Sequence, residues 1–223
     1  MPVFVALSTV ADGNMYIPES QADEQVIATR MAWLKKQGIE ATNTTRVNIS
    51  FDQDNYCRYR IADSSNKGEG MFDGDDEPAD ALVATEKNHA LLLPVADCVA
   101  TTLYDEQHGV LMLSHLGRHS LEQRGGVQSV KFLQDIYDTD PAKLKVWLSP
   151  APGKQVYPIF KLGGQGMKET AFEQLQQAGV LFENITDNPA DTATDGNYFS
   201  HSEFLKGNKP TDGRVAMVAM MTD

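Results

Sequence analysis

The sequence predicts an α/β or α+β layered fold, with mixed β-sheets flanked by helices and not of the Rossmann type. Three observations carry this. Residues 81–114 are dense in short, strand-like apolar runs. Helical patterns are interspersed without the strict strand–helix alternation of a parallel sheet. No glycine-rich dinucleotide or P-loop fingerprint is present.

The elements follow in chain order. Val3-Phe4-Val5-Ala6-Leu7 reads as a first buried strand. Ser20, with Asp23 and Glu24 behind it, gives a helix-start signature. Val26, Ile27, Met31 and Leu34 then recur at helical spacing, and Gly38 ends the helix. Residues 46–51 and 56–61 alternate like strands, and 63–78 form a long polar, acidic loop. Strands are expected at 81–85, 90–95, 99–104 and 110–114. A helix at 127–137, a strand at 144–148, a helix at 167–178 and a final strand at 214–221 complete the pattern.

A chain of 223 residues with 41% hydrophobic and 22% charged residues is expected to form a single domain over 1–223. The net charge of −12 argues against nucleic acid or an anionic membrane as partner. No apolar run reaches the roughly 18 residues of a spanning helix, and the start lacks a basic signal-peptide region. Two cysteines, Cys57 and Cys98, make no disulfide framework, so free thiols in a reducing cytoplasm are expected. The oligomeric state is not readable.

The chemistry concentrates around Cys98. Residues 99–104 and 110–114 read as the arms of a hairpin closed by Gly109. Pairing Tyr104 with Gly109 sets Thr102 against Leu111, Ala100 against Leu113, and Cys98 against His115. Opposed residues have Cβ atoms roughly 4.5–5.5 Å apart, so a thiol meets an imidazole. Asp97 precedes the thiol, and Leu116 to Ser120 read as a polar loop. The pair suits metal ligation, or a nucleophile with its base; a buried structural Cys beside a hydrogen-bonded His carries equal weight.

Several segments resemble the YfiH-like family in order and spacing. Its members carry names such as laccase-domain protein, polyphenol oxidase and purine nucleoside phosphorylase. Ala79-Asp80-Ala81-Leu82-Val83 resembles its A-D-A-L-V-T, Ala96-Asp97-Cys98 its T-A-D-C, and His115-Leu116-Gly117 the start of its H-A-G-W-R-G. Ser149-Pro150-Ala151, Tyr198-Phe199-Ser200-His201 and Asp212-Gly213-Arg214 resemble its G-P-A, F-Y-S-Y-R-R and T-G-R segments. The resemblance implies a YfiH-like fold over nearly the whole chain. It also implies a zinc site made of a first His, Cys98 and His115, in an enzyme that cleaves purine nucleosides with phosphate. Some members deaminate adenosine, older descriptions give copper and phenol oxidation, and some bacterial members act on peptidoglycan precursors. On this reading Cys98 and His115 bind metal and act in catalysis with Asp97, while Arg118, His119, Ser200, His201 and Arg214 line the substrate pocket. The first His belongs to a Q-V-H-G motif on a strand before A-D-A-L-V, yet this chain has no His before His89. Residues 51–59 are read as that region, with Asp52, Cys57 or His119 as the replacement ligand, or none. The alternatives are a metal-independent Cys–His hydrolase and a binding protein with a degenerate site.

Overall fold

Alternating apolar runs build two sheets that pack face to face, with helices on both outer faces. The computed structural model describes residues 2–16, 23–51, 54–72 and 77–223. The predicted cap at Ser20, the ligand candidate Asp52 and most of the acidic run 73–77 lie outside them.

The first sheet has the order β1 (Val3–Leu7), β12 (Val215–Met221), β5 (Ala90–Val95), β2 (Thr44–Arg46). The second has the order β11 (Ile185–Asp187), β8 (Lys145–Leu148), β6 (Val99–Asp105), β7 (Val110–Leu116), β4 (Ala81–Ala84), β3 (Tyr59–Ile61). A short ribbon of β9 (Pro158–Ile159) and β10 (Gln165–Gly166) stands apart. Parallel and antiparallel pairs mix in both large sheets, as the irregular rhythm of the sequence implies.

The period of two sorts the side chains. Along β6, Ala100 and Tyr104 join Leu111 and Leu113 of β7 and Leu91, Leu93 and Met217 of the other sheet in the layer between sheets. Val99, Leu103 and Met112 face the opposite way, onto α3 (Gly125–Tyr137) and α4 (Met167–Gln177) through Val130, Leu133, Ala171 and Leu175. The outer face of the first sheet takes Trp33 and Leu34 of α1 (Glu24–Lys36). The architecture is therefore helix, sheet, sheet, helix.

Two expectations need correction. The stretch after Leu116 is not a loop: α2 (Arg118–Glu122) begins directly behind Gly117. The glycines that follow allow helices to approach, since a Cβ on Gly125 would stand 2.0 Å from Ser120 Oγ. The strands expected at 46–51 and 56–61 are short, Thr44–Arg46 and Tyr59–Ile61. Beyond Arg46 the chain leaves the first sheet: Val47 N–H still donates to Leu92 O, but Asn48 O accepts from Ala79 N–H beside the second. No helix among the described residues is long and apolar enough to cross a membrane.

Candidate active site

The floor of the site is the place where the chain changes sheets. β5 ends at Val95 in one sheet and β6 begins at Val99 in the other, so Ala96, Asp97 and Cys98 form the crossing. Asp97 takes a φ of 73°, a left-handed conformation that a non-glycine residue adopts only when its surroundings hold it there. Its carboxylate accepts hydrogen bonds from Thr192 Oγ1 (2.8 Å) and from Ser202 N–H (2.8 Å). The second bond docks the start of α5 (His201–Leu205) against the crossing.

The hairpin register differs from the sequence expectation by two residues. His115 pairs with Ala100, Leu113 with Thr102 and Leu111 with Tyr104. Gly109 is the cause: its φ of 64° places it in the turn, not the strand. The Asp105 carboxylate closes that turn by accepting from Gln107 N–H (2.9 Å) and His108 N–H (3.1 Å). A shift of two keeps every side chain on its face. Cys98 and His115 therefore still point into the layer between the sheets, but they meet beside Gly117 and not directly across the ladder. A Cβ built on Gly117 would lie 3.0 Å from both Cys98 Sγ and His115 Nε2, and 2.7 Å from His115 Cε1.

Burial sets the protonation of the pair. It pushes the Cys98 thiol up to about 12; Asp97 adds to this, while Arg214 and Arg118 oppose it. Burial also pushes His115 down to about 4, against the pull of the Asp80 carboxylate. At neutral pH the two groups are a thiol and a neutral imidazole.

Around this floor lies a cavity of about 460 Å³. Its walls hold three arginines, Arg46, Arg118 and Arg214, and four aromatic rings, Tyr16, Phe51, Tyr56 and Tyr157. Arg118 is exposed at the rim, with Nη2 3.1 Å from His119 Nε2. His119 stacks on Tyr56, ring centroids 4.6 Å apart. Gln123 fastens the Tyr56 segment to the end of α2, accepting from Tyr56 N–H (2.9 Å) and donating to Asp54 O (2.6 Å). His201 and Arg214 also reach the cavity, both tied to Asp212, and the Arg214 guanidinium lies 5.2 Å from the Tyr16 ring centre. Ser200 does not line it; its hydroxyl caps α5 by accepting from Glu203 N–H. Cys57 does not line it either and is hydrogen-bonded to Tyr59. Asp80 is spent on Arg58, which it receives through both carboxylate oxygens at 2.7 and 3.1 Å.

Sequence reasoning missed Arg46, Asn48, Tyr16, Tyr157 and the part played by Gly117. Two of these had a signal. Arg46-Val47-Asn48 runs from the end of β2 into the cavity ahead of Ala79-Asp80-Ala81, the side on which the resemblance puts a Q-V-H triplet. Tyr16 had none; Asn14 brings it in by accepting Arg214 N–H through its side chain at 2.8 Å.

A catalytic zinc takes three protein ligands and an open position. Cys98 and His115 supply two that converge beside Gly117. The segment beyond β2 offers the neutral amide of Asn48, and among the described residues no group of three His, Cys, Asp or Glu side chains is placed to hold a metal ion. The donor set does not complete a zinc or copper centre.

Comparison with known proteins agrees with this architecture. The family described as multi-copper polyphenol oxidoreductase laccase matches residues 8–172. Three solved structures superpose on nearly the whole chain. YfiH of Bacillus licheniformis, described as a hypothetical protein, gives a TM-score of 0.86 at 16% identity, over 99% of this chain and 93% of that one. YlmD of Geobacillus stearothermophilus gives 0.87 at 19% identity, over 99% and 92%. Neisseria meningitidis protein NMB0706 gives 0.73 at 14% identity, over 99% and 95%. At these identities the likeness shows the fold. Among curated protein sequences there is no match.

Proposed function

Because the chain belongs to the family described as multi-copper polyphenol oxidoreductase laccase, we propose that its cavity takes a purine nucleoside together with phosphate and cleaves the glycosidic bond, the activity that the YfiH-like resemblance implies. The observation that carries this reading is the make-up of the cavity. At about 460 Å³ it falls in the range of small-molecule sites. Flat aromatic faces at Tyr56 and Tyr157 suit a base, and arginines suit an oxyanion. Arg118 is the natural phosphate contact, since no carboxylate partner engages it among the described residues. On the floor, His115 is neutral, so one ring nitrogen can accept a hydrogen bond while the other donates one.

The Cys–His hydrolase reading is weaker. A nucleophilic cysteine acts as thiolate, and burial keeps the Cys98 thiol protonated far above neutral pH. The test is release of free base from adenosine, inosine and guanosine, with and without phosphate. Phosphate-dependent release, abolished by His115→Ala and given a raised phosphate KM by Arg118→Ala, supports the proposal. Absence of release from all three, with or without phosphate, overturns it and leaves a binding protein with a degenerate site.

A further inference from the structure

We infer that Asn48 occupies the place of the missing third ligand, that this chain therefore holds no zinc ion through Cys98 and His115, and that the single change Asn48→His completes a zinc site. The inference concerns the same cavity as the proposed function but stands apart from turnover.

The backbone strings the three residues along the cavity floor. Asn48 O accepts from Ala79 N–H at 2.8 Å. The next residue, Asp80, accepts His115 N–H through its carbonyl at 2.8 Å. His115 pairs with Ala100, two residues beyond Cys98. Asn48, His115 and Cys98 thus sit on successive segments, and all three line the cavity. Asn48 is 7% exposed and His115 6%, so both are held among packed neighbours.

The chemistry at this position is wrong for zinc. Thiolate and imidazole nitrogen are good ligands, whereas a carboxamide is absent from the usual set of Cys, His, Asp and Glu. The other donors on the walls, among the described residues, are committed. Both Asp97 oxygens accept hydrogen bonds. His119 is stacked on Tyr56 and contacts Arg118, and His201 is held by Asp212. The field is also wrong. Arg46, Arg118 and Arg214 face the cavity against one lining carboxylate among the described residues, Asp97, which favours an anion over a divalent cation.

The experiment titrates chelator-treated protein with cobalt(II), a spectroscopic stand-in for zinc, and measures zinc content of the protein as purified. The wild type should show no thiolate-to-cobalt charge-transfer band and zinc far below one per chain. Asn48→His should show the band and bind zinc at least about 100-fold more tightly. That exceeds the roughly 10–100-fold brought by changes behind a ligand. Adding Cys98→Ser should abolish both. One zinc per wild-type chain, lost on Cys98→Ser, overturns the inference. So does a folded Asn48→His, with unchanged circular dichroism and melting, that gives no band. If that variant does not fold, the wild-type titration decides alone. Base release from zinc-free wild type leaves both readings standing. Its absence from a zinc-free protein removes the functional proposal and leaves this one.

Discussion

Gly117→Ala is a sharp probe of the site, because a single methyl group lands between the two side chains that define it. Gly117 has an ordinary φ of −91°, so alanine meets no backbone strain there. Loss of unfolded-chain freedom alone would stabilise the variant by about 0.4–1 kcal/mol. Two effects oppose it. Alanine is a poorer N-cap than glycine, and Gly117 caps α2. Steric crowding matters more: the new Cβ lies 2.7 Å from His115 Cε1 and 3.0 Å from Cys98 Sγ. Overpacking of this kind costs about 1–3 kcal/mol, which outweighs the entropic gain. A net loss of about 1–2 kcal/mol, or about 2–8 °C in Tm for a chain of this size, is expected. The assay is a double-mutant cycle by thermal melting with Gly117→Ala, His115→Ala and both together. Removing the ring removes the clash, so the double variant should be more stable than the sum of the two losses allows, by about 0.5–3 kcal/mol. Strict additivity, or a Gly117→Ala protein that melts like wild type, would refute the placement of the imidazole against Gly117.

Three further outcomes are expected. Asp97→Ala loses two hydrogen bonds to a buried carboxylate and forces alanine into a left-handed conformation, so it should cost about 2–4 kcal/mol in denaturant titrations; Asp97→Asn, which tolerates that conformation, should cost less. Alkylation of Cys98 by iodoacetamide should be slow at pH 7 and still rising above pH 9, because burial holds the thiol at about 12; a rate that levels off below pH 9 contradicts this. For Asp105, burial pushes the carboxyl up, but hydrogen bonds from His108 outweigh it and leave the group below its ordinary value. A depressed carboxylate stabilises the fold above its unfolded pKa of about 3.9 and loses that contribution as pH falls through the folded value. Asp105→Asn should therefore be less stable than wild type at pH 7, with the gap closing in acid; a gap that does not change with pH counts against it.

Much of this was legible in the sequence where periodicity speaks. The strand at Ala90–Val95 and the helix start at Met167 lie where the apolar spacing puts them. The pair Cys98 and His115 was legible as one site, since parity along a hairpin survives a two-residue error in register. The register itself was not, because it depends on whether Gly109 belongs to the strand or the turn, and a glycine permits both. Arg46 and Asn48 were hidden because residues 46–51 alternate like one strand, whereas β2 ends at Arg46 and the chain beyond it runs on along the cavity. Ser200 looked like a pocket residue by its motif and proves to be a helix cap, a role that serine fills wherever a helix begins.

The crossing at Ala96, Asp97 and Cys98 has a mechanical consequence. The wall of the cavity is drawn from both sheets: Pro94 and Val95 from one, His115 from the other, with α5 and the Tyr56 segment closing the sides. A molecule seated there works as a rivet through two plates. Its binding energy enters the cohesion of the whole stack, at about 2.7 kcal/mol for ligand at a hundred times its Kd. Amide hydrogens of β12 and β7, strands of different sheets, should then slow together in exchange when the cavity fills.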